Sequence, residues 1–215
     1  MTDKLLELIR ERYPMESLDA GEYAALKCSG MKFQIRSFQA EGLGHVSAMT
    51  ASGFFGLMKM DTLIITPTAV DMPLYSYDRV LAMGNDTLIV EIYDTLLTSA
   101  DLSALDAAKE KCTDLPEHDL GSHWYDSIKL PQSLSKKGKK SYKQAFDRAV
   151  EGNLTAFLDC ARTAVSCEAQ LKREKASVYV EGLLSNGGPS TDVFKKGIGE
   201  QKTADLFRRI LFGTQ

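Results

Sequence analysis

LYSYDRVLAMGNDTLIVEIY, residues 74–93, is the most informative stretch of the chain. Apolar and aromatic residues crowd 74–83 (LYSYDRVLAM) and 87–93 (TLIVEIY), and Gly84-Asn85-Asp86 between them is turn chemistry. The segment reads as two strands of one hairpin. Strands joined by so short a turn run antiparallel, because a parallel pair needs a long crossover. Upstream, Leu63-Ile64-Ile65 before Pro67 reads as another buried strand. Residues 32–39 (KFQIRSFQ) set Phe33, Ile35 and Ser37 against Lys32, Gln34 and Arg36, with Phe38 closing the run. Glu41-Gly42-Leu43-Gly44 supplies the turn after it, and 45–51 reads as the returning strand.

The remainder is helical in pattern. Leu5, Leu6, Leu8 and Ile9 among charges predict an amphipathic helix over 3–12, stopped by Pro14, and a second short helix is expected over 16–26. Ser99 or Asp101 caps a helix running through Cys112, while 113–135, with Pro116 and Pro131, reads as irregular. A helical period covers 141–168 with an expected break near Gly152-Asn153. Another covers 170–184 and stops at Ser185-Asn186-Gly187-Gly188-Pro189. The last helix spans 200–212, with Ala204, Leu206, Phe207, Ile210 and Leu211 inward and Lys202, Arg208 and Arg209 outward. Strands first and helices afterwards predict one antiparallel sheet covered by helices. No repeat or linker divides the chain, so residues 1–215 are expected to form one domain.

Composition agrees. With 215 residues, 44% apolar and 26% charged, there is ample material for one core. A net charge of −3 excludes a broad electrostatic preference for nucleic acid, leaving room only for a local basic patch. The start, MTDKLLELIRERYP, lacks the apolar region of a signal sequence, and no apolar run approaches the ~20 residues that span a bilayer. A cytoplasmic protein with neither a membrane nor a nucleic-acid partner is expected. Cys28, Cys112, Cys160 and Cys167 form no C-x-x-C pair; Cys160 and Cys167, seven apart, would share a helix face as small core residues. His45, His118 and His123 lack metal spacing, so no metal site is expected.

Two stretches are more specific. Gly188-Pro-Ser-Thr-Asp-Val-Phe-Lys-Lys-Gly-Ile-Gly199-Glu200 with the closing Arg208-Arg-Ile-Leu-Phe212 resembles the C-terminal signature of the ferredoxin-dependent bilin reductase superfamily. Met72-Pro73-Leu74-Tyr75-Ser76-Tyr77-Asp78-Arg79-Val80 resembles that family's pocket strand, and Leu88-Ile-Val-Glu91-Ile its apolar strand carrying an acid. Leu115-Pro116-Glu117, Trp124-Tyr125 and Lys129-Leu130-Pro131 are a weaker match, and together these cover about residues 30–215. The resemblance implies a three-layer α/β/α sandwich, with a central antiparallel sheet flanked by helices and the pigment between the sheet and the C-terminal helices. It also implies an oxidoreductase that reduces a bilin such as biliverdin through radicals. No cofactor would be bound; electrons would come one at a time from an external reduced ferredoxin, and protons from the protein.

Within that frame Asp78 is the first catalytic candidate, since a carboxyl buried against an apolar conjugated ring has its pKa raised and can hold a proton near neutral pH. Pairing with Arg79 or Arg36, or a solvent-facing position, is the alternative. Asp61 is the second candidate, at a position where the resemblance puts a pocket histidine; capping a turn is its alternative. Arg36, Lys129, Tyr77, Lys172 and Arg173 are substrate-binding candidates, the cations for propionates. The run Ser135–Lys140 reads as a dense basic loop. Its Lys136, Lys137, Lys139 and Lys140 could dock an acidic ferredoxin by electrostatic steering, or simply be solvated. Gly188 stands where many relatives carry an acid, and Leu130 where an Arg is expected. These departures leave open a non-catalytic tetrapyrrole carrier, or a reductase of a chlorophyll-catabolite-like ligand.

Overall fold

The computed structural model describes residues 1–188 and 190–215; Pro189, the last residue of the predicted stop after 184, lies outside them. Among the described residues the sheet has eight strands: β1 Met15–Leu18, β2 Ala25–Cys28, β3 Met31–Ala40, β4 Gly44–Gly53, β5 Met58–Pro67, β6 Leu74–Ala82, β7 Asn85–Tyr93 and β8 Leu134–Lys139. Their order is β1-β3-β4-β5-β6-β7-β8, with β2 also on β3, and every pairing is antiparallel. The helices are α1 Thr2–Arg10, α2 Ser103–Glu110, α3 Lys143–Thr163, α4 Ala169–Asn186, α5 Thr191–Ile198 and α6 Glu200–Asp205. The last of these continues as a wider π-helical turn over Leu206–Leu211.

Strand alternation makes two cores. In β5–β7 the residues Leu63, Ile65, Tyr75, Tyr77, Leu88, Val90 and Ile92 face one side and pack with α1, α2 and α3 through Leu5, Ile9, Leu105, Phe146 and Phe157. Phe33, Ile35, Met49, Ile64, Leu74 and Tyr93 face the other side, under α4, α5 and the C-terminal turn, with Tyr179, Leu183, Phe194, Phe207 and Phe212. Because side chains alternate with period 2, the two sets never mix. The architecture is therefore the expected α/β/α sandwich around an antiparallel sheet.

Four local expectations are corrected. Residues 16–26 are not a helix: they form β1, a single 3₁₀ turn at Gly21–Ala24 and the start of β2, which run back along β3. The turn between β6 and β7 is Met83-Gly84 rather than Gly84–Asp86, with φ of 50° and 80° at the two positions. A two-residue hairpin needs positive φ at both, which glycine tolerates. Helix α3 passes Gly152-Asn153 unbroken and ends at Thr163, so Cys167 lies beyond it and does not share a helix face with Cys160. Finally, 134–139 is not a loop but the edge strand β8, paired with β7.

Candidate functional site

The register around Asp78 builds the site. Asp78 pairs with Thr62 on β5 and with Ile89 on β7, so these three share a face, and Ser76, Val80, Glu91 and Tyr93 share it by alternation. This face is the floor of a cavity of about 290 Å³, near the lower end of the ~300–1,000 Å³ of small-molecule pockets. Its walls are Tyr179 and Leu183 of α4, Val193 of α5, Leu211 and Phe212 at the C-terminus, and Leu120, His123 and Tyr125 of the loop before β8. Met31, Met49, Met58 and Met60 complete it, and methionine adapts well to a flat apolar ligand. Gly188 and Ser190 also line it, so the turn that lacks the expected acid does border the cavity.

Two carboxyls enter this apolar space. Burial raises the Asp78 carboxyl from 3.8; a hydrogen bond from Thr62 opposes that rise and the charge of Glu91 adds to it, leaving Asp78 at about 6. Thr62 Oγ1 donates to Asp78 Oδ1 at 2.5 Å. Glu91 accepts from the Tyr93 hydroxyl at Oε2, 2.6 Å, while its Oε1 is buried without a hydrogen-bond partner among the described residues. The Lys129 ammonium lies 3.8 Å from that oxygen, beyond hydrogen-bond reach. Tyr93 stacks on Tyr179 with ring centroids 4.1 Å apart, and Tyr125 meets both edge-on. Burial pushes the Tyr93 and Tyr179 phenols far up, so both keep their protons. His123 stacks on Tyr125 and leaves Nδ1 buried without a hydrogen-bond partner among the described residues. Two carboxyls, three phenols and an imidazole thus line the cavity beside an aromatic wall.

Of the residues singled out from sequence, Asp78 lines the cavity, and Lys129 borders it through Glu91. The others do not. Asp61 pairs with Arg79 in register, one residue off Thr62, so its side chain is on the α1 side; it meets the N-terminal ammonium at 3.4 Å. Tyr77 is on that same side, fully buried in the α1–α3 core. Arg36 alternates away from Phe33 and Ile35 and donates to Asp3 at 2.7 Å. Lys172 is completely buried outside the cavity, donating to Asp71 at 2.8 Å and to the Thr95 carbonyl at 2.6 Å. Arg173, half-buried on α4, is not a lining residue. Lys136 points inward from β8 and pairs with Glu117, so it offers no free charge; Lys137, Lys139 and Lys140 are exposed.

Glu91, His123, Tyr125 and Tyr179 were not assigned to the site from sequence. Glu91 had a readable signal, since it is two residues from Asp78's partner Ile89 and so on its face. The other three reach the cavity from a loop and a helix, and no periodicity links them to the sheet.

Among the described residues no group of three or more His, Cys, Asp or Glu is placed to hold a metal, and no helix is long and apolar enough to cross a membrane. No family model and no curated protein matches the sequence. The fold, in contrast, is that of a solved structure, phytochromobilin synthase from tomato in complex with biliverdin. The TM-score is 0.78 over 100% of this chain and 83% of that one, at 14% sequence identity.

Proposed function

We propose that the protein reduces a bilin, biliverdin or a related linear tetrapyrrole, with electrons from an external reduced ferredoxin and protons from its own carboxyls. The observation that carries this reading is Asp78, a carboxyl at about 6 on the floor of an apolar cavity. Support comes from a fold shared with a protein solved around biliverdin. Reducing one double bond takes two electrons and two protons. Asp78 is protonated in a useful fraction near neutral pH and is the donor; Glu91 is the second carboxyl on the same face. The charge of Glu91 adds to the rise that burial imposes on Asp78. No Lys or Arg is among the described lining residues, so Lys129, beside Glu91, is the cation proposed for a propionate. Lys137, Lys139 and Lys140 are the exposed cations of β8 and its end, suited to an acidic electron donor.

The test is anaerobic spectroscopy with biliverdin and a reduced ferredoxin system. Progressive loss of the biliverdin absorbance supports the reading, and no change beyond binding overturns it. Gly188 favours a second reading, a tetrapyrrole carrier, because the cavity lacks an acid at that turn. A carrier would give a shifted pigment spectrum that added reductant leaves unaltered.

A further inference from the structure

One row of register partners, Cys28, Met31, Gly53, Met58, Ala82, Asn85 and Lys139, marks the end of the sheet where the hairpins turn. Met31 and Met58 in that row also line the cavity, so its wall runs out to this end. Just beyond the row are the tips of the hairpins β2–β3, β4–β5 and β6–β7. From the last two of these tips Phe55, Leu57 and Met83 project into solvent, with relative exposures of 108%, 73% and 93%. Phe55 and Met83 also hold left-handed backbone, φ 56° and 50°. A bulky apolar residue is uncommon there, where Asn or Gly sits more easily. None of the three side chains gains burial, and Phe55 and Met83 lack an easy backbone as well, which points to something outside the chain that covers them.

The charge behind the tips is of one sign. Lys27, Lys32 and Lys59 lie in the next row, all exposed, and Lys27 and Lys32 are direct cross-strand partners. Like charges placed opposite one another destabilise a sheet, so their pairing is a cost carried by the fold. Asp86 is the one acid in the segments 27–32, 52–60, 80–87 and 137–140, and it is buried against Arg79.

We propose that this end of the sheet docks on an anionic lipid bilayer, with Phe55, Leu57 and Met83 in the headgroup–acyl boundary and Lys27, Lys32 and Lys59 against the anionic headgroups. The two apolar tips stand on separate hairpins, two strand spacings or about 10 Å apart. A protein partner rewards a packed central cluster, whereas a fluid interface admits each tip separately. Lysines close behind inserted apolar groups add electrostatic attraction to an anionic leaflet. The inference stands whatever the cavity binds.

The experiment is co-sedimentation of the purified full chain with vesicles of phosphatidylcholine alone and of phosphatidylcholine with phosphatidylserine. Binding is expected to the second and to fall with salt. The triple variant Phe55→Asn/Leu57→Ser/Met83→Asn should weaken it roughly tenfold or more, as should Lys32→Gln/Lys59→Gln. Asn suits left-handed backbone, so circular dichroism should show the fold unchanged. Absence of binding, equal binding to both vesicles, or full binding by the triple variant would each overturn the proposal. Retention on immobilised polyglutamate without vesicle binding would overturn it as well, reassigning the surface to an acidic protein.

Discussion

Thr62 and Asp78 are register partners on β5 and β6, and the threonine hydroxyl donates to Asp78 Oδ1 at 2.5 Å. Burial drives the carboxyl up and this bond holds it back. A hydrogen bond to a carboxylate favours the charged form, so its loss must favour the protonated one. Thr62→Val is therefore expected to raise the Asp78 pKa above about 6 and to extend reduction to more alkaline pH. The pH dependence of biliverdin turnover checks this; a shift toward acid would show that the bond does not control the proton.

Glu91 acts in the opposite sense, because its negative charge raises Asp78. Glu91→Gln keeps the shape of the side chain and removes that charge. The Asp78 pKa should fall, the alkaline limb should move to lower pH, and turnover should drop through loss of the second carboxyl. A drop in rate with an unmoved pH profile would separate Glu91 from Asp78.

Asp78 also leaves a mark on stability that is independent of any substrate. Its folded-state pKa, about 6, is above the ordinary 3.8. Between these values the native protein binds more protons than the unfolded chain, so the carboxyl costs stability as pH rises toward 6 and beyond. Asp78→Asn should match the parent near pH 4 and exceed it near pH 8 by about 1–2 kcal/mol, discounted for water in the cavity. Thermal unfolding at the two pH values measures the difference.

Asp61→Asn should leave turnover and its pH profile unchanged, since Asp61 faces α1 and the N-terminal ammonium. The activity assay on that variant tests the register directly: a lost pH limb would bring Asp61 back to the site. This residue also shows what the sequence could convey. Alternation in β3 and the apolar β5–β7 runs made the sheet and its helical cover legible, whereas Asp78 was singled out only through the resemblance of its strand. The register that sets Thr62 rather than Asp61 opposite Asp78 was not legible, and it sends Asp61 to the opposite face. Tyr77, next to Asp78, and Arg36, next to Ile35, go there by simple alternation, a signal that the sequence did carry. The lysine-rich 135–140 read as a loop because lysine is a poor strand former, yet β8 pairs with β7 and its outer edge hydrogen-bonds residues 116–118. His123, Tyr125 and Tyr179 meet only through tertiary packing, which no local pattern records.

The buried pair Lys172–Asp71 is the strongest case for a structural rather than a substrate-binding lysine. Burial alone would raise the Asp71 carboxyl. The Lys172 ammonium, the backbone N–H groups of Leu97 and Thr98, and the Thr98 hydroxyl outweigh it and hold Asp71 at about 2. These bonds tie α4 to the segments that follow β5 and β7. Lys172→Met would leave a buried carboxylate without its cation, a loss of about 3–5 kcal/mol. Because the folded pKa is depressed from 3.8, the contribution of Asp71 is complete above about pH 4 and disappears as pH falls through about 2. Denaturant unfolding of Lys172→Met at neutral pH should show the full loss, and the gap from the parent should narrow in strong acid. A variant of parental stability that binds biliverdin poorly would return Lys172 to the substrate.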